Sequence, residues 1–235
     1  MEIRCIWEHN GKDTLLYAEN FPGAYTRGKT KEEALEKMAA EVTSYLVWAG
    51  QEAPDILTPK IIQEKESNLQ ICDADTDVLF DSEALPLSYD EYLSLKRLAL
   101  KSASDFLALY QSIPDKDAAC QPVRDTFYGS VPRTAAEMYE HTKNVNDYYF
   151  SEIGIETTNS GTILSCREHG FKQLEGSENY LNRPAVCGSY DEMWSLRKVL
   201  RRFIWHDRIH AKAMYRMAVK IFGQSSIENI FRFSI

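Results

Sequence analysis

A chain of 235 residues that is 44% hydrophobic carries enough apolar material to bury a substantial core, as one large or two small domains. Its 35 Asp and Glu residues against 27 Lys and Arg give a net charge of −8, which repels polyanions, so nucleic acid is not an expected partner. No run of about eighteen apolar residues occurs and no apolar leader precedes Glu2 and Arg4, so the expectation is a cytoplasmic protein without a membrane span.

The first residues alternate Ile3, Cys5 and Trp7 with polar neighbours, reach Asn10-Gly11 and return through residues 14–17, the pattern of a hairpin with a tight primed turn. His9 beside that turn reads as an exposed loop histidine. Gly23 and Gly28 read as turn residues near φ > 0. At Thr30-Lys31-Glu32-Glu33 a capping box opens a helix with Ala34, Leu35, Met38, Val42, Tyr45 and Leu46 on one side. Past Pro54 and Pro59, short β-like pieces follow at 60–64, 68–72 and 77–80. Together these predict a three- or four-stranded sheet with one helix.

The string Phe21-Pro22-Gly23-Ala24-Tyr25-Thr26-Arg27-Gly28-Lys29-Thr30-Lys31-Glu32-Glu33-Ala34 resembles the strand-turn-helix pattern of HicB-like domains, the small αβ fold of certain antitoxins. The resemblance covers the first third of the chain and implies a binding or dimerising module, which makes a protein partner for residues 1–84 an expectation.

Residues 73–87 are acidic and turn-rich, and the domain boundary is placed there. Asp73, Asp75 and Asp77 have the spacing of a calcium loop without its glycine or distal glutamate, so they read as exposed carboxylates. Ser88-Tyr89-Asp90-Glu91 is a second capping box, and its helix carries Leu95, Leu98, Ala99, Phe106, Leu109 and Tyr110 before Pro114. The same phrase recurs at Ser189-Tyr190-Asp191-Glu192. After a loop over 114–132, a helix is predicted over 134–153 with Gly154 at its end, and another over 163–174; His169 reads as a surface residue. The last helix is predicted over 190–222, closed by Gly223, and it is basic: Arg197, Lys198, Arg201, Arg202, Arg208, Lys212, Arg216 and Lys220 read as a solvated face or an interdomain contact. Ile227, Ile230, Phe231 and Phe233 form an apolar tail expected to dock on the helices or on another subunit. Five scattered cysteines, never spaced C-x-x-C, argue against disulfides or a thiolate zinc site.

His206 and His210 stand four apart on that last helix, so both imidazoles share one face with Leu196, Val199, Phe203, Met214 and Met217 and point inward. His141, on a face with Thr134, Met138, Val145 and Tyr148, also points inward, with Glu137 and Asn144 one turn to either side to orient it. Metal sites in helical bundles draw ligands from facing helices in this way. Three nitrogens leave a position for water or substrate, and imidazole suits Zn, Ni, Fe or Cu. Tyr148, Glu137 and Tyr215 are further pocket candidates.

His141 in Met138-Tyr139-Glu140-His141-Thr142-Lys143-Asn144, together with His206-Asp207-Arg208-Ile209-His210, resembles the DinB/YfiT superfamily of metal-dependent bundles. That resemblance implies a four-helix bundle over 88–235 with a long crossover, a three-histidine site for a divalent metal, frequent homodimers and, in some relatives, transfer chemistry on a small thiol substrate. The expected whole is an α+β chain: a HicB-like αβ domain over 1–84, then a DinB-like bundle that acts as a metal-dependent transferase or hydrolase, or else as a non-catalytic metal-binding or regulatory interaction protein.

Overall fold

The computed structural model describes residues 1–126 and 129–234 and has an α+β fold. Strand β1 (Glu2–His9) pairs antiparallel with β2 (Thr14–Ala18), and β2 pairs antiparallel with β3 (Tyr25–Gly28). After helix α1 (Lys31–Trp48), β4 (Thr58–Glu66) returns parallel to β1, which gives the sheet order β3-β2-β1-β4. The first turn is a four-residue loop rather than a tight primed turn, because the Asn10 side chain takes over: its Oδ1 accepts the backbone N–H of Lys12 and of Asp13, at 3.1 and 2.9 Å.

Thr30 caps α1 by accepting the Glu33 N–H, while Glu33 accepts from Lys29 N at 2.9 Å. Its apolar side, Ala34, Met38 and Val42, covers the sheet face built from Ile3, Cys5 and Leu16. Of the three β-like pieces expected after Pro59, only the first joins the sheet. Residues 77–80 form no ladder because side chains take their backbone groups: Lys198 Nζ donates to Asp77 O, Arg201 to Val78 O and Gln63 to Leu79 O. Residues 71–73 make a 3-10 turn.

Four α-helices dominate the second half: α2 (Tyr89–Ser112), α3 (Ala135–Ser151), α4 (Ile163–Glu175) and α5 (Leu196–Phe222). Helices α2 and α3 each pack on both α4 and α5. Capping boxes open α2 at Ser88 and Glu91 and α3 at Thr134 and Glu137. The repeated phrase at Ser189 does not start α5. Tyr190 and Asp191 sit at φ +59° and +58°, inside the turn of a hairpin between β7 (Val186–Cys187) and β8 (Met193–Trp194), and Ser195 caps the helix by accepting from Lys198 N. Identical letters therefore give a helix start at one place and a left-handed turn at the other. The two-residue strands β5 (Asp125–Thr126) and β6 (Gly129–Ser130) pair antiparallel.

Helix α5 runs through the centre of the molecule, and every residue from Lys198 to Arg208 is buried. One side faces α2 and α3. The other meets the second face of the sheet, where Trp205 packs with Ile6, Leu15, Tyr17 and Tyr25. Gly23, at φ +97°, lets the β2–β3 loop lie directly on Ile204: a Cβ there would stand 2.3 Å from that side chain. Gly28 keeps a negative φ and is instead crowded by Glu33 and Thr30.

The basic residues of α5 accordingly form a contact between the two halves. Arg201 donates to Glu83, Arg202 to Thr76 O and Arg208 to Glu41 at 2.7 Å, with Lys212 also on Glu41. The apolar tail docks on its own chain: Phe231 stacks on Trp48, and Ser44 donates to Arg232 O. All five cysteines are free thiols.

Across the helices, Arg167 of α4 and Asp207 of α5 form a fully buried pair in which Nη1 and Nη2 reach the carboxylate at 3.2 and 3.1 Å. Ser102 of α2 donates to the same carboxylate, and Arg167 also donates to Asn146 of α3 and to Ala99 O of α2. One guanidinium thus fastens four helices. Removing one partner from such a pair leaves an uncompensated charge in the core, at a cost of about 3–5 kcal/mol. Arg167→Met should therefore lower the urea midpoint by a corresponding amount. The double replacement Arg167→Met/Asp207→Leu should recover much of that loss, because both charges are gone.

Candidate metal centre

Helix α3 brings His141, and α5 brings His206 and His210, to one place between the two helices. The ring centroids are 5.2 Å apart for His141 and His206, 4.6 Å for His141 and His210, and 4.4 Å for His206 and His210. One nitrogen from each ring can be chosen so that all three lie within 4.8 Å of one another. Around a single ion at metal–nitrogen distances of about 2.0–2.1 Å, tetrahedral nitrogens stand about 3.4 Å apart, so small ring rotations would bring these three into range.

The local sequence explains the convergence. The four-residue spacing puts His206 and His210 one above the other on α5, and Tyr149, two turns beyond His141 on α3, packs edge-on to His206 at 6.0 Å and against Phe203 at 5.3 Å. These aromatic contacts fix α3 against α5 with His141 opposite the pair. His206 is buried, whereas His141 and His210 are partly open to solvent.

The electrostatics suit a cation. Burial lowers the pKa of all three imidazoles; in His206 it acts together with the charges His210 and His141 would carry, and in His210 burial and His141 bring the value down to about 3. The rings are therefore neutral at pH 7, the form that ligates a metal. His206 Nδ1 is buried without a hydrogen-bond partner, which is costly for a polar atom unless something else engages it. An orphaned ring nitrogen within a cluster of neutral imidazoles fits a divalent transition metal. The adjacent carboxylate, Asp207, is held by Arg167 and Ser102 and supports the helix rather than the cluster.

The other expected site residues lie elsewhere. Glu137 is exposed and accepts from Arg133 N and Thr134 N as part of the α3 cap, and Asn144 is exposed, its carbonyl accepting from Asn159. Tyr215 is buried on the side of the C-terminal tail, 6.5 Å from the Phe233 ring. Tyr148 packs against Trp194, and it is Tyr149 that reaches the histidines. Tyr149 was missed because helical spacing selects its neighbour: at about 100° per residue Tyr148 falls within about 20° of the His141 direction, whereas Tyr149 stands about 80° away. His9 ends β1, stacked on Trp7 and bonded to Glu64 at 3.1 Å, and His169 is exposed. No helix among the described residues is long and apolar enough to cross a membrane.

Comparison of the chain with family models, with curated proteins and with solved structures gives no match.

Depressed imidazole values have a thermodynamic consequence in the metal-free protein. Below about pH 6.5 the unfolded chain takes up protons that the folded cluster refuses, so stability is lost as pH falls from 6.5 toward 3. With a chelator present, the urea midpoint should drop between pH 7.5 and 5. In His210→Asn the drop should be smaller, since one of the three refusing groups is gone.

Proposed function

We propose that the chain is a DinB/YfiT-like metal-dependent enzyme in which His141, His206 and His210 hold one divalent transition ion, with zinc, nickel or iron as the chemical options. The observation that carries this reading is the convergence of three neutral imidazoles from two helices, one with a buried, unpartnered nitrogen. A bound ion of this kind lowers the pKa of a ligated water or thiol and so supplies a nucleophile near neutral pH.

The chain's own residues define what else the site does. Three protein nitrogens are one short of a closed tetrahedral set, which leaves room for a reactant. The partial exposure of His141 and His210 gives that reactant an approach from solvent, while Tyr149 and Phe203 close the inner side. Arg167 and Ser102 hold Asp207, Asn146 in turn accepts from Arg167, and Asp207 fixes the turn of α5 that carries His206. The reaction classes that fit are thiol transfer and hydrolysis, on a small substrate. A homodimer and a HicB-like role for the first 84 residues are parts of the same reading. The burial of His206 favours a competing one, in which the ion is structural and the protein a regulatory or interaction module.

Elemental analysis of tag-free protein is the test. Near-stoichiometric metal is expected in the parent, with loss to background in a folded His206→Ala/His210→Ala variant. A parent that stays metal-free after incubation with zinc and nickel would exclude the proposal. Turnover of a thiol substrate by the loaded parent, absent from the variant, would separate the enzyme from the structural reading.

A further inference from the structure

The phrase Ser-Tyr-Asp-Glu, with Ser-Leu following two residues later, occurs twice in the chain, over 88–95 and over 189–196. The first copy is a helix start: Ser88 accepts the Glu91 N–H, and Glu91 accepts the Ser88 N–H at 2.9 Å. The second copy holds the same N-cap serine and the same glutamate three residues on, yet it forms the turn between β7 and β8. Ser195 caps α5 instead, and it follows Trp194, the last residue of β8, with no linker between them. One helix thus has two serines that can cap it, at 189 and 195.

The hairpin is held from outside rather than by its own residues. Tyr190 and Asp191 stand at φ +59° and +58°, a region that disfavours L side chains, and a two-residue turn of this hand is ordinarily Asn-Gly. Tyr190 is 94% exposed, so no packing of its ring offsets the strain. The ladder is only two pairs long, Val186 with Trp194 and Cys187 with Met193. Against this, Glu152 of α3 accepts the Ser189 N–H at 2.8 Å, and Lys198 donates to Met193 O at 2.8 Å while lying 2.8 Å from Glu192 Oε1. Trp194 is wholly buried, its ring 5.5 Å from Tyr149 and 6.0 Å from Tyr148. Local sequence therefore favours a helix here and tertiary contacts favour a hairpin, the opposition from which two-state elements are built.

We propose that residues 189–195 are a conformational switch between two starts of α5: the hairpin form, capped at Ser195, and a longer helix capped by Ser189 with Glu192 as its capping-box partner. Growth would lengthen α5 by about 9 Å. Twelve residues separate Trp194 from His206, so a helical continuation at about 100° per residue puts the indole about 120° around the axis from the imidazole, and it leaves Tyr149. Glu192 turns back to its own cap and leaves Lys198. Because Tyr149 packs edge-on to His206 at 6.0 Å, the hairpin form braces that ring against the histidine cluster and helix growth releases it. The switch concerns how the imidazoles are packed and does not rest on the metal reading.

Nuclear magnetic resonance of the full chain tests this through Cα shifts and relaxation dispersion. The parent should show hairpin shifts over 189–195 and a minor state of about 1–10% whose fitted Cα shifts are helical, with Tyr149 sharing the exchange rate. Tyr190→Pro fixes φ near −65°, which the turn cannot accept and the first residue of a helix can, so helical shifts should become the major ones. Tyr190→Asn/Asp191→Gly supplies the residues the turn prefers and should abolish the dispersion. Both side chains replaced are exposed. The proposal is overturned if the parent shows no dispersion, if its minor state has random-coil shifts and is therefore fraying, if Tyr149 does not share the exchange, or if a folded Tyr190→Pro stays extended over 190–195. The first three outcomes do not depend on Tyr190→Pro, so its failure to fold would leave the proposal open to refutation.

Discussion

The contact on which this architecture turns is the buried ion pair between Arg167 and Asp207. A carboxylate and a guanidinium, both wholly withdrawn from water, are tolerable only because nearly every donor and acceptor is answered: two nitrogens on the carboxylate, the Ser102 hydroxyl beside them, Asn146 on Nε and the Ala99 carbonyl on Nη1. The Arg167 guanidinium also lies over the Phe203 ring at 3.8 Å. These bonds reach α2, α3, α4 and α5, so they fix the rotation of α5 about its own axis. Since Asp207 follows His206 directly, holding the carboxylate toward α4 turns the preceding imidazole toward α3. The geometry of the histidines is a consequence of a bond that none of them makes.

Helix α5 is shared by both halves of the chain. Its far side carries Trp205 into the sheet and Arg201, Arg202 and Arg208 onto Glu83, the Thr76 carbonyl and Glu41. The guanidinium groups lie on aromatic rings, Arg201 over Tyr17 and Phe80 and Arg208 over Tyr45 and Trp48. The face of the sheet opposite α1 is thereby used up by the chain itself. Any partner recognised by the first 84 residues must use the remaining edges and loops.

Much of this was readable from the residues alone, and the parts that were not share a cause. Cap residues at Thr30, Ser88 and Thr134 located three helices, because cap chemistry is local; the full box forms at Ser88 and Thr134, while at Thr30 Glu33 reaches back to Lys29 N instead. The i, i+4 histidines and the apolar face around His141 placed the cluster, because helical periodicity is local too. The same phrase at Ser189 misled, since Tyr190 and Asp191 are forced into a left-handed turn by the pairing of β7 with β8, a contact outside the phrase. Glu137 is the α3 cap, so its nearness to His141 along the chain gave no nearness to the imidazole. The burial of Arg201, Arg202 and Arg208 was only half legible: Ile204, Trp205 and Ile209 interleave with them, and an apolar stripe beside a basic one signals that a second surface covers that side. Arg167 gave no such sign, because its partner stands 40 residues away.

The central claim is that three imidazoles from α3 and α5 form an open site for one metal ion. Cobalt(II) absorption in the visible range tests it most directly, because its intensity reports coordination number and its position reports the donors. Titration of the full chain should give a saturable spectrum of four- or five-coordinate nitrogen-ligated cobalt, absent from His141→Ala, which shifts when a small thiol is added. A featureless titration, or a spectrum that His141→Ala retains, would contradict the site; a spectrum indifferent to added thiol would contradict its openness.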